Sequence, residues 1–190
     1  RLVDGLRRME YRGYDSAGIC TLDQGELIRR RAEGKLNNLV VELADNPAPG
    51  DTGIAHTRWA THGAPTAQNA HPHATGQVAL VHNGIIENYD SLRKELKKRG
   101  YTFQSDTDTE VLVNLIEDVI KNEGVKLGKA VQIALNQTVG AYAIAVFDKR
   151  KPDEIVVARL GSPLAIGIGD NEYFIASDAS PFIAYTNNAI

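Results

Sequence analysis

The hydrophobic period changes along this chain, and that change limits its fold more than any single residue does. Near the start, Ser16 to Leu22 and Glu26 to Arg31 are strand-like and flank an Asp23-Gln24-Gly25 turn, which is hairpin chemistry. At the far end, Ala141 to Phe147, Glu154 to Arg159, Leu164 to Ile168 and Tyr173 to Ala176 form a run of short apolar strands joined by turns. Between them the spacing is helical: Lys35 to Ala44, Tyr89 to Arg99, Asp108 to Lys121 and Lys126 to Gln137, with a further helix at the very start carrying Leu2, Val3, Leu6 and Met9. Thr52 to Trp59 and Gln77 to His82 are two more strands, separated by a long aperiodic segment rich in Gly, Pro, Asn and His. Hairpins at both ends, with no regular βαβ alternation, predict an α+β fold built on antiparallel sheets. Residues 1–190 are expected to form a single domain.

Composition removes several function classes. The formal charge is −3, and the basic residues, Arg29 to Arg31 and Lys94 to Arg99 among them, are mixed with acidic ones, so no nucleic-acid partner is expected. The strongest apolar run falls far short of the roughly 20 residues of a membrane span, so no membrane partner is expected either. A lone cysteine, Cys20, cannot form an internal disulfide and fits a reducing, cytoplasmic setting. The first residue is Arg1 and no capping signal precedes the opening helix, so the chain is expected to begin inside a longer protein.

All five histidines, His56, His62, His71, His73 and His82, lie between the Thr52 strand and Asn83. No two have the i, i+4 spacing of a helical metal pair and no cysteine or carboxylate cluster joins them, so neither a metal nor an organic cofactor is expected. Arg58-Trp59-Ala60-Thr61-His62-Gly63 gathers a guanidinium fork suited to a carboxylate, an aromatic lid, a hydroxyl and an imidazole; the bland reading is a surface loop with one buried tryptophan. Asn83-Gly84 is first of all a hairpin turn, and otherwise a pair of donors for a developing oxyanion. Thr107-Asp108-Thr109-Glu110 is a capping box opening an apolar helix, and Asp108 there suits the helix dipole or a substrate ammonium. Cys20, with no His or Asp beside it, is expected to be a small buried hydrophobe.

Taken together, Glu10 to Gly18, His56 to Gly63, Asn69 to His73, Val81 to Asn88 and Ser105 to Glu110 resemble, in order, the glutaminase domains of glutamine:fructose-6-phosphate amidotransferases, a family of class II, N-terminal nucleophile glutamine amidotransferases. The resemblance implies a four-layer αββα sandwich. It implies hydrolysis of L-glutamine to glutamate and ammonia, the ammonia passing to fructose 6-phosphate in a covalently linked sugar-phosphate synthase domain to give glucosamine 6-phosphate, in a homo-oligomeric enzyme. The nucleophile would be a cysteine at the mature N-terminus, ahead of Arg1, with the α-amino group as base. By the same resemblance Asn83 and Gly84 form the oxyanion hole, and Arg58, helped by Thr61 and His62, holds the substrate carboxylate. Asp108 would hold its ammonium, Trp59 would belong to a loop closing over glutamine, and Arg12 would support the terminal cysteine. An amidotransferase with another acceptor, or an inactive glutamine-binding module, fits the same residues.

Overall fold

The computed structural model describes residues 1–190. Helix α1 (Leu2–Met9) runs into a short 3₁₀ turn at Glu10–Arg12 and then the hairpin of β1 (Ser16–Asp23) and β2 (Glu26–Glu33). Its two-residue turn is Gln24-Gly25, with φ of 49° and 80°, the left-handed pair that matches strand twist. Helix α2 (Leu36–Asp45) precedes β3 (Thr52–Arg58), which pairs antiparallel with β1 to give a sheet of order β2-β1-β3.

A second sheet has the order β4-β5-β6-β7, made of β4 (His73–Ala74), β5 (Val78–Ile86), β6 (Gly140–Asp148) and β7 (Val156–Leu160). Between β5 and β6 come α3 (Tyr89–Lys98), α4 (Asp108–Glu123) and α5 (Leu127–Leu135), and the chain ends with the pair β8 (Ala165–Ile168) and β9 (Tyr173–Ala176). The α+β expectation is met nearly element for element.

Strand alternation explains the layering, because successive side chains point to opposite faces. On one face of β1, Ala17 and Ile19 pack with Leu6 of α1 and Leu36 and Leu39 of α2. On the other, Cys20 and Leu22, joined by Ile54 of β3, meet Ala79, Ala145 and Phe147 of the second sheet. The outer face of that sheet, Val78, Leu80, Ile86, Ile144 and Val146, packs on α4 and α5 in the largest core cluster. The order helices, sheet, sheet, helices is the expected four-layer sandwich.

Helix α4 is nearly all buried, and its ends are well specified. Gly124 closes it with φ 63°, a left-handed C-terminal cap. At the start the Thr107 hydroxyl accepts from the Glu110 amide at 3.2 Å. The other half of the predicted capping box differs. Glu110 reaches back past Thr107 to the amides of Gln104 and Ser105, at 2.9 and 2.7 Å, because the Ser105 hydroxyl already receives the Thr107 amide.

Candidate functional site

The same alternation that puts Ile54 and Ala79 between the sheets puts His56 and Arg58 of β3, and Asn83 of β5, in that layer a few residues further along. They end in a cavity of about 1860 Å³ whose lining also includes Trp59, Thr61, His62, Gly84, Thr107 and Asp108. Every sequence-predicted site residue, Arg12 included, lines this one cavity. Elements distant in sequence supply them: the end of β3, the end of β5 and the start of α4.

Asn83-Gly84 is not a hairpin turn. Strand β5 continues through it, with Asn83 opposite Ala143 and Gly84 opposite Tyr142 on β6; the turn chemistry is overridden by pairing with an apolar partner strand. Gly84 has φ 131°, a region that side chains rarely enter. A Cβ there would stand 2.0 Å from the Ala141 carbonyl oxygen. The position therefore demands glycine, and it leaves the backbone open toward the cavity. The Asn83 side chain has one hydrogen-bond partner, His56 Nε2, 2.7 Å from its Oδ1.

Arg58 is 4% exposed. Its Nη1 donates to Ala64 O at 3.0 Å, and Nη2 donates to the carbonyls of His62 and, at 3.1 Å, Gly63. With five N–H donors in all, the fork both shapes the Thr61 to Ala64 loop and keeps Nε and one Nη1 proton uncommitted. Asp15 lies 4.0 Å away and accepts from the Ala60 amide, which pins the corner where β3 becomes that loop. Burial lowers the Arg58 pKa, opposed by Asp15 and then Asp108.

Asp108 is also buried, at 4% exposure. One oxygen accepts from the Ile86 amide at 2.8 Å, which ties the first turn of α4 to the end of β5. His82 Nδ1 stands 3.9 Å from the same oxygen and 3.1 Å from the Thr109 hydroxyl. A carboxylate at a helix N-terminus is held by the dipole as well as by its bonds. Arg58 and Asp108 thus offer opposite charges across a common space.

Trp59 is 61% exposed and meets Tyr14 edge to face at 5.4 Å, so the reading of one buried tryptophan is corrected: the ring sits over the rim. His62 packs edge to face on Tyr89 at 4.8 Å, and Thr61 is exposed at the mouth. Arg12 pairs with Asp178 at 2.7 Å and reaches Ser177, linking the 3₁₀ turn to the segment after β9. Cys20 is fully buried. Burial pushes its thiol up to about 12, against a smaller opposing pull from Arg29, so it is no nucleophile.

Sequence reasoning passed over three residues of the site: Asp15, His56 and His82. The two histidines belong to the row noticed as a possible metal cluster, and no group of His, Cys, Asp and Glu here has the arrangement to hold a metal ion. The placement of His56 could be found by counting alternate residues, since it lies two before Arg58 and on the same face; His82 points to the other face of β5 from Asn83, against Thr109 of α4. Asp15 carried no signal beyond its motif.

A family model described as a glutamine amidotransferase domain matches residues 44–189. The glutamine–fructose-6-phosphate aminotransferase (isomerizing) of Zymomonas mobilis is 58% identical over 179 residues, which is 94% of this chain and 29% of that protein. Its namesake in Bacteroides thetaiotaomicron is 51% identical over 192 residues, 100% of this chain and 31% of that one. The chain therefore spans under a third of the length of these relatives. Among solved structures, glutamine phosphoribosylpyrophosphate amidotransferase from Bacillus subtilis superposes with a TM-score of 0.81 at 28% identity, covering 97% of this chain and 40% of that chain. A structure described as the allosteric regulatory enzyme of purine biosynthesis gives 0.83, also at 28% identity. Those neighbours carry the N-terminal nucleophile sandwich that the layers described above reproduce. With a matched model over most of its length and that fold beneath it, the chain belongs to the glutamine amidotransferase domain family.

Proposed function

We propose that this chain is the glutaminase domain of a glutamine:fructose-6-phosphate amidotransferase. It binds L-glutamine and cleaves the side-chain amide to glutamate and ammonia; the ammonia passes to fructose 6-phosphate in a covalently linked synthase domain, forming glucosamine 6-phosphate. The observation that carries this reading is the convergence of Arg58, Asp108 and Asn83-Gly84 on one cavity. A free amino acid needs a cation for its carboxylate and an anion for its ammonium, and amide cleavage needs donors where the carbonyl oxygen gains charge. The names of the relatives, and the share of their length that this chain spans, support the acceptor and the second domain.

In the proposed mechanism the uncommitted Arg58 N–H groups hold the α-carboxylate, with the Thr61-His62 loop closing beside it, and Asp108 holds the α-ammonium. The side-chain amide then lies against β5. A cysteine thiolate at the mature N-terminus attacks the carbonyl carbon, and the oxygen takes the negative charge between the Asn83 amide and the Gly84 N–H. Collapse expels ammonia, the leaving nitrogen taking up the proton that the α-amino group removed from the thiol, and leaves a thioester, which water hydrolyses to glutamate and the free thiol. Trp59 and Tyr14 cover the mouth, excluding water while ammonia leaves. Arg12, anchored on Asp178 and Ser177, supports the terminal cysteine. A cytoplasmic, homo-oligomeric enzyme belongs to the same reading; Cys20 is a free, buried thiol, and no helix is long and apolar enough to cross a membrane.

The test is glutamate release by the full-length protein with and without fructose 6-phosphate. Glutamate formed together with glucosamine 6-phosphate is expected. Glutamine binding without turnover would overturn the reading in favour of a binding module, and turnover with a different aminated product would overturn the acceptor.

A further inference from the structure

We infer that His56 is a positioning residue: by donating from Nε2 to Asn83 Oδ1 it turns the Asn83 amide so that its NH₂, not its oxygen, faces the cavity. The inference rests on the oxyanion role proposed for Asn83.

An asparagine side chain is a donor on one side and an acceptor on the other, and the two are nearly the same shape. Presented one way, Asn83 stabilises an oxyanion; flipped, it repels one. Its only hydrogen-bond partner is His56, at 2.7 Å, so the orientation rests on that contact. The bond crosses from β3 of one sheet to β5 of the other, and neither strand's own ladder fixes it.

Oδ1 can only accept, so Nε2 must carry the proton. The surroundings select that tautomer. His56 Nδ1 is buried with no partner; a proton there would be an orphaned donor, which folded proteins tolerate less often than an unpaired acceptor. The ring plane is set by His71, whose centroid lies 4.2 Å away, and His71 in turn meets His73 at 5.1 Å. His73 Nε2 is 2.9 Å from the Thr107 hydroxyl. A row of imidazoles therefore runs beneath the site from Asn83 to the cap of α4, next to Asp108. The charged and titratable groups facing His56 are Arg58, Asp15, His71 and His82, and burial is the largest influence, holding it neutral.

The experiment is a double-mutant cycle in the full-length enzyme, read as kcat and KM for glutaminase. His56→Leu should lower kcat about 10- to 100-fold with KM for glutamine within about threefold, and His56→Gln, which keeps a donor near the Nε2 position, should recover most of that loss. In an Asn83→Ala background His56→Leu should add less than about threefold. Equal losses for Leu and Gln, a loss falling on KM, or an undiminished loss in the Asn83→Ala background would each overturn the inference. So would an Nδ1-protonated neutral imidazole, seen by nitrogen correlation spectroscopy of the histidine-labelled wild type, a readout that needs no variant to fold. Should Asn83→Ala itself keep full kcat, the oxyanion reading fails and this inference with it; an impaired Asn83→Ala beside an unimpaired His56→Leu sinks the inference alone.

Discussion

The layer between the two sheets has two ends built from the same strands and facing the same way, yet they behave as different materials. At one end Cys20, Leu22, Ile54, Ala79, Ala145 and Phe147 form an apolar cluster. A few residues along, the inward positions are His56 and Arg58 on β3 and Asn83 on β5. The ladders run through both ends, and apart from the positive φ that Gly84 supplies at the polar end it is the side chains that turn one end into a core and the other into a polar site. The polar end is tolerable because its buried groups are mostly satisfied: Arg58 by loop carbonyls, Asp108 by the Ile86 amide, His73 by Thr107. The imidazoles pay least attention to this rule, with ring nitrogens of His56, His62, His71 and His82 buried and unpartnered.

That contrast predicts opposite sensitivities, and acid should separate them most. Burial holds His56 down to about 4, and His71 and His73 well below their ordinary value. In the unfolded chain each would titrate near 6.5. A histidine kept neutral by the fold stabilises it above the unfolded pKa, and that contribution is lost as pH falls from about 6.5 toward the folded value. For His56 alone the loss reaches about 3 kcal/mol only once the pH has fallen to about 4, and the other two act in the same direction. Denaturant midpoints should be level above pH 7 and drop steadily below 6.5. A flat midpoint down to pH 5 would mean the polar end is as inert as the dry one.

The dry end should respond to volume instead. Phe147 is fully buried, and Phe147→Ala should cost about 3–5 kcal/mol of stability, by the same amount at pH 7.5 and pH 6, because the only titratable side chain in its cluster is Cys20, whose pKa is raised to about 12. At the polar end Asn83→Ala should do the reverse. If Asn83 is the oxyanion donor proposed above, its removal costs about 10²–10³ in kcat, while its exposed side chain gives little to stability. Circular dichroism melts and glutaminase rates on both variants break the comparison if each loses the same property.

The architecture was largely legible in the residues, because hydrophobic period is a local signal and both the hairpin and the helices announce their own ends. The site was legible as motifs but less so as geometry. Asn83-Gly84 has strong turn chemistry, yet nine residues of β5 pair through it; a sheet partner more than fifty positions away decides such a case, and local propensity does not contain it. Glu110 likewise accepts from the amides of Gln104 and Ser105, because the Ser105 hydroxyl has taken the Thr107 amide. His56 was read only as one of a row of histidines, because the Asn83 it contacts lies on the other sheet.

Arg58 closes β3 at the polar end and should show an intermediate effect. Arg58→Ala removes a charged partner from the proposed glutamine carboxylate, a loss on the order of 2 kcal/mol or more, or at least about 30-fold in KM. It also frees the Thr61 to Ala64 loop, so the informative companion is Arg58→Lys, which keeps the charge and loses the fork that spans three carbonyls. Lysine should leave KM raised. A Lys variant with wild-type KM would assign the residue to charge alone and detach loop shape from binding.

The smallest effect is expected at Cys20, and it is the one that fixes where the polar end stops. Cys20 shares the inward face of β1, so a site extending further along the layer would engage its thiol. It is fully buried and its pKa is raised to about 12, which leaves almost no thiolate at neutral pH, and alkylation requires the thiolate. In the folded protein Cys20 should resist iodoacetamide at pH 8 and label only on denaturation, and Cys20→Ala should keep glutaminase kcat within about twofold while losing about 1 kcal/mol of stability from the small cavity. Mass spectrometry of the tryptic peptide reads the first and a rate assay the second. Rapid labelling of the native chain, or a tenfold loss of rate in Cys20→Ala, would move the boundary of the site into the apolar cluster.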